Sequence, residues 1–287
     1  MPVLFNSILE SANVHPKDVR LVRHKDKRAT RGRTPYELWR DVDKRHLFEL
    51  YQSHQNIKNR SKFDSPYWAV FVVNFSNETM FAGLYRVKYR GLLKRDTPLP
   101  HIEGGIDKAG SCDVWELVLD ENLNDLIGRL FIDWGDAGIV WVQYAENQDK
   151  TVTELRTAFR EDAFPGFLNF IEPLSRIDSL PKSWSEALQN TRGVYLLTCP
   201  KTKEQYVGSA RGYLGFWGRW QNYVQTGHAD NKGLKSREPS DYQVSILEVA
   251  GSSATDDDIL KMEGRWQTKL QSLEMGLNRN LAGKMWK

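Results

Sequence analysis

Two cysteines in 287 residues, Cys112 and Cys199, are too few for a disulfide framework. They stand too far apart to suggest a zinc-binding cluster, so both read as small buried hydrophobes. No apolar run approaches the roughly 18 residues that a membrane crossing needs. The opening Met1-Pro2-Val3-Leu4-Phe5-Asn6-Ser7 lacks a charged segment followed by an apolar one, so a cytoplasmic location without a membrane partner is expected. Internal repeats and low-complexity tracts are absent too. Nor is there a large excess of one charge: the net formal charge is only +3, which by itself identifies no polyanionic partner.

What remains is the composition of a globular protein, 40% hydrophobic and 27% charged, in a chain long enough for two cores. The charge is unevenly distributed. Arg20, Arg23, Lys25, Lys27, Arg28, Arg31 and Arg33 face a single acid, Asp26, and the stretch from Arg192 to Ser240 is also basic. Two basic regions suit an extended polyanion, although either alone is equally a solvated surface.

Along the chain, Leu4, Phe5, Ile8, Leu9 and Ala12 recur at helical spacing, and Thr34-Pro35-Tyr36-Glu37 has the form of a capped helix start. The phase of that second helix falters between Asp41 and Arg45, where a break is expected. Tyr67 to Val73 and Met80 to Val87 read as a hairpin, with further strands at 113–119, 130–134 and 140–144. These suggest a small, partly closed β-barrel with peripheral helices. Prolines 165, 173 and 181 mark a connector, which places domains at 1–180 and 181–287 and the chain in the α+β class.

In the second domain, Val194–Thr198 and Gln205–Gly208 have strand character around a turn at Pro200–Glu204, which brings Tyr195 and Tyr206 onto one sheet. Phe216, Trp217, Trp220 and Tyr223 then mark a helix whose other face presents Arg219. A strand at Gln243–Val249 follows. Thr255-Asp256-Asp257-Asp258 caps an amphipathic helix from Ile259 to Leu273 that carries Glu263.

Gly193-Val194-Tyr195, Tyr206-Val207-Gly208, Arg219, Glu263 and Asn278 together resemble, in order and spacing, the motif set of the GIY-YIG nucleases. Tyr223, four residues after the arginine, stands where relatives carry His or Tyr. The resemblance covers about a third of the chain, with Val for Ile in both tripeptides and a somewhat long segment between Gly208 and Arg219. It implies hydrolysis of phosphodiester bonds with Mg²⁺ (or Mn²⁺) held through Glu263.

The residue types suit that chemistry. A hard cation can be held by one carboxylate, substrate phosphate and water. Arginine offers a planar, permanently charged fork to a phosphate. Tyrosine, with an ordinary pKa near ~10, becomes a usable base beside cations. The resemblance assigns Tyr195 as the base and Tyr206 to orient water or phosphate, and the two roles can be exchanged. Taken one at a time, the tyrosines also fit as strand aromatics, Arg219 and Glu263 as a surface ion pair, and Asn278 as a helix cap.

The polar loop around His228 resembles a loop in one branch of the family and offers phosphate or base contact. Arg211, Lys232 and Lys235, with Arg23, Arg28 and Arg31 from the first domain, are candidates for sequence-independent contact with double-stranded DNA. The first domain faintly resembles PUA-like nucleic-acid readers. Its aromatics Trp68, Phe71, Phe81, Tyr85, Trp115, Trp134 and Trp141 either fill a core or line a pocket for an extruded base. The expectation is therefore a DNA endonuclease of restriction or phage defence, its target a sequence or a modified base. The alternatives are a mobile-element or repair nuclease, or a non-catalytic nucleic-acid binder. One metal site per chain would need a homodimer, or two nicks, to cut both strands.

Overall fold

The computed structural model describes residues 2–25, 32–102, 104–135, 140–227, 232–235 and 240–283. Arg28, Arg31 and His228 lie outside them, as do the side chains of Lys232 and Lys235. The chain is mixed α+β and divides into two compact units, Met1–Asp162 and Ala163–Lys287. The segment 163–180, placed before the boundary by its prolines, packs with the second unit because Phe170 lies stacked on Trp220 at 5.4 Å.

The first unit is built on a curled, half-barrel sheet. Its strands are β1 (Val19–His24), β2 (His54–Asn56), β3 (Tyr67–Val73) and β4 (Thr79–Leu92), then a two-stranded ribbon of β5 (Thr97–Pro98) and β6 (Ile106–Asp107). They continue with β7 (Cys112–Leu119), β8 (Leu130–Ile132), β9 (Val142–Tyr144) and β10 (Val152–Leu155). The order is β10-β8-β4-β3-β1-β9, and β7 pairs with both β4 and β2. The expected hairpin and later strands are present.

The strand β1 was not foreseen, because its cations masked the apolar pattern of Val19, Leu21 and Val22. It runs parallel to β3, one strand in from the β9 edge of the sheet. Arg20 is accommodated there by donating to the carbonyls of Lys62 and Asp64 and by lying 3.9 Å over the Tyr144 ring.

Helix α1 (Phe5–Ser11) buries Phe5 and Leu9 against Val19, Leu21, Ala69, Phe71 and Phe81 on one face of the sheet. Helices α2 (Pro35–Arg40) and α3 (Arg45–Ser53) cover the other, where Trp39 and Phe48 meet Val22, Trp68, Val70 and Tyr85. The break between them falls at Asp41, as expected, and α2 begins with a complete capping box from Thr34 to Glu37. A short α4 (Arg60–Phe63) follows. Because β3 is covered on both faces, it reads as an unbroken apolar run rather than an alternating one.

The second unit holds α5 (Lys182–Gln189), α6 (Gly215–Thr226), a short α7 (Lys232–Lys235) and α8 (Asp256–Lys269). Its four-stranded antiparallel sheet has the order β11 (Ile171–Pro173), β14 (Gln243–Val249), β12 (Gly193–Thr198), β13 (Gln205–Ala210). Val194 and Val207 face α8, packing on Ile259 and Met262. Residues one position away along each strand face α6.

Candidate active site

The β12–β13 register sets the tyrosines. Tyr195 lies opposite Gly208, and Leu197 opposite Tyr206. Residues directly opposite share a face, so Tyr195 and Tyr206 are diagonal neighbours on the α6 side. Gly208 is what makes room for both rings. A Cβ there would stand 2.6 Å from the Tyr195 hydroxyl and 2.7 Å from Cε1 of Tyr206. Gly193 is needed for a different reason: its Cβ would stand 2.2 Å from the Glu248 carbonyl of the neighbouring strand.

Helix α6 delivers two further groups one turn apart. Arg219 donates from Nε to the Tyr195 hydroxyl at 3.2 Å, and the Tyr223 hydroxyl lies 3.0 Å from the same oxygen. The guanidinium also lies 5.2 Å over the Tyr223 ring. Behind them Phe216 and Trp220 pack on Tyr195, fixing its ring.

Burial, with Tyr206 as a neighbour, holds the Tyr195 phenol well above its ordinary pKa. Burial and Tyr195 do the same to Tyr223. For Arg219 burial works against the charge, but the three tyrosines Tyr195, Tyr223 and Tyr206 outweigh it, so the guanidinium stays cationic. Tyr206 is 6% exposed and Tyr195 is completely buried.

Glu263 comes from the opposite side of the sheet. On α8 its carboxylate accepts a short hydrogen bond from the Ser209 hydroxyl and another at 3.2 Å from Nε2 of Gln267, one turn further along. Burial raises its pKa, offset in part by the Ser209 bond and by the charges of Arg211 and Arg219. The carboxylate thus sits by the end of β13 within the field of Arg219, while the phenols lie on that strand's other face. A buried carboxylate with few cations about it fits a divalent cation, whose charge would offset the desolvation.

Asn278 has a structural place. Its side-chain amide accepts from the Val207 N–H at 2.9 Å and donates to the Val207 carbonyl at 2.8 Å. It therefore closes the free edge of β13 as a further strand would, rather than capping a helix. Ser209 and Gln267 were missed in the sequence. Gln267 could have been found, since a residue four places from a buried glutamate shares its helix face.

Arg211 is exposed beside Glu263. Arg23, in the first unit, is largely buried with its guanidinium 4.7 Å over the Trp134 ring. It lines a cavity of about 370 Å³ with Lys25, Thr79, Asp133 and Trp134. The aromatics of that unit mostly fill its two cores: Trp68, Tyr85 and Trp115 on one face of the sheet, Phe71, Phe81 and Trp134 on the other. Trp141 is half-buried against the first group. Among the described residues no helix is long and apolar enough to cross a membrane.

No protein family and no curated protein matches the chain. Among solved structures it is similar to a substituted form of the catalytic domain of intron endonuclease I-TevI, at 24% identity and a TM-score of 0.27, over 32% of this chain and 96% of that one.

Proposed function

We propose that the chain is a divalent-metal-dependent DNA endonuclease. The observation that carries this reading is the buried Tyr195 hydroxyl, met by Arg219 and Tyr223 with Tyr206 as a neighbour, and a buried carboxylate, Glu263, in the field of the same arginine. Arg219 meets the non-bridging oxygens of the scissile phosphate and neutralises the charge that grows there. Tyr195 takes the proton of the attacking water, and Tyr206 orients that water or the phosphate. Its raised pKa keeps Tyr195 neutral until positive charge is near, and the Nε donor of Arg219 is the fixed part of that charge. Glu263 would hold Mg²⁺ or Mn²⁺, which would supply Lewis acidity for the leaving oxygen and the remaining charge. Ser209 and Gln267 hold both carboxylate oxygens in place.

The first unit serves target selection, through a sequence or a modified base, and the setting is restriction or phage defence. Arg23, Arg28, Arg31, Arg211, Lys232 and Lys235 attract the DNA backbone, and His228 contributes contact with phosphate or base. Cutting of both strands requires a homodimer or two successive nicks.

The test is nicking of supercoiled plasmid with and without Mg²⁺. Wild-type protein nicks, Glu263→Ala does not, and unchanged cutting in that variant removes the assignment. Tyr195→Phe loses more activity than Tyr206→Phe; the reverse order exchanges their roles. Preference for hydroxymethylated or glucosylated phage DNA over unmodified DNA supports selection of a modified base, and equal cutting of both removes it.

A further inference from the structure

In the first unit, His54, Asp107 and Cys112 come together from three strands. Each offers one donor atom, and the three atoms lie within 4.8 Å of one another. The ladder explains part of this. In the β2–β7 pairing His54 lies opposite Val114 and Asn56 opposite Cys112, so His54 and Cys112 are diagonal neighbours on one face. Asp107, the last residue of β6, reaches the same point from the two-stranded ribbon and lies 2.9 Å from Nδ1 of His54.

These three residues and His101 line a cavity of about 260 Å³. The His54 side chain is 8% exposed and Asp107 23%, so the donors are shielded yet open on the cavity side.

We propose that His54, Asp107 and Cys112 bind a Zn²⁺ ion. The donor set decides the metal. A thiolate and an imidazole beside one carboxylate favour a borderline-soft ion in a compact tetrahedral site, and disfavour Mg²⁺, which takes oxygen donors and octahedral geometry. The charges also balance: carboxylate and thiolate neutralise the dication, so the partly buried site carries no net charge once the thiol proton leaves to solvent. Three protein ligands leave the fourth position facing the cavity. The ion ties β6, and with it the ribbon, to β2 and β7. It belongs to the first unit, differs in kind from the cation of Glu263 in the second, and does not depend on the nuclease reading.

The whole chain, purified without chelator, holds about one Zn²⁺ by elemental analysis. Replacing it with Co²⁺ gives a thiolate-to-cobalt charge-transfer band in the near ultraviolet. Cys112→Ser loses that band, His54→Ala lowers the affinity for Co²⁺ at least tenfold, and Glu263→Gln leaves the thiolate-to-cobalt band unchanged. Chelator lowers the Tm of wild type, and Zn²⁺ but not Mg²⁺ restores it. Folded wild-type protein that binds no Zn²⁺ and shows no cobalt band overturns the proposal, as does a Cys112→Ser variant that keeps the band. If Cys112→Ser does not fold, the wild-type cobalt spectrum decides alone.

Discussion

Trp68 in the first unit and Tyr195 in the second are both completely buried and both ringed by aromatics. Their polar atoms meet different company. The indole N–H of Trp68 donates to the Phe63 carbonyl, a neutral bond that ends the account. The Tyr195 hydroxyl meets a guanidinium and a second phenol, groups that titrate or carry charge. Two sites of equal burial thus differ in what burial is for. In the first it removes apolar surface from water, and in the second it also strengthens the interactions of a few charges by excluding solvent.

Substitutions that should act on only one side of this contrast can break it. Trp68→Ala, which empties a filled core position, is expected to cost about 3–5 kcal/mol in denaturant unfolding. A variant of unchanged stability that had lost discrimination between DNA substrates would make Trp68 a pocket wall and undo the contrast. Arg219→Ala tests the other side. Single-turnover cleavage is expected to fall about 10²- to 10³-fold, the usual effect of removing one positioned donor from a developing negative charge. DNA affinity measured without metal should change by far less. Gly208→Ala is intermediate, because its methyl group would collide with both tyrosine rings. About 1–3 kcal/mol of destabilisation is expected, with cleavage lost through displacement of Tyr195 rather than through loss of any charge.

The contrast also shows what the sequence makes legible. Where geometry follows from local period, the reading succeeds: the β12–β13 hairpin, the break at Asp41 and the capped start of α8 all follow from spacing and turn residues. Polar groups satisfied from afar are the ones that hide. The cations on β1 obscured that strand because nothing local shows that the Lys62 and Asp64 carbonyls await Arg20. Asn278 is the same case. Its bond to Val207 spans a distant part of the chain, and only the free edge of β13 explains it. The aromatics of the first unit looked alike in sequence, and only the sheet, by dividing them between two faces, shows them to be core.

The smallest expected effect concerns Glu263, and its sign differs from that of an ordinary stabilising carboxylate. Burial raises the pKa of this group in the folded protein above its unfolded value. The folded state therefore binds the proton more tightly than the unfolded chain does. Its contribution to stability is fully present below the unfolded pKa and is lost as pH rises through the folded one, so at neutral pH the ionised group is a net cost. Glu263→Gln keeps the shape and an oxygen able to accept from Ser209, and removes the charge. The variant should unfold at a higher temperature than wild type at pH 7, and the gap should close as pH falls below about 4, where the unfolded carboxyl is protonated as well. A saturating divalent cation should narrow the gap from the other direction, by stabilising wild type alone at pH 7. A variant less stable than wild type at neutral pH would mean that Ser209, Gln267 and the two arginines already compensate the carboxylate fully, leaving no electrostatic deficit for a metal to fill.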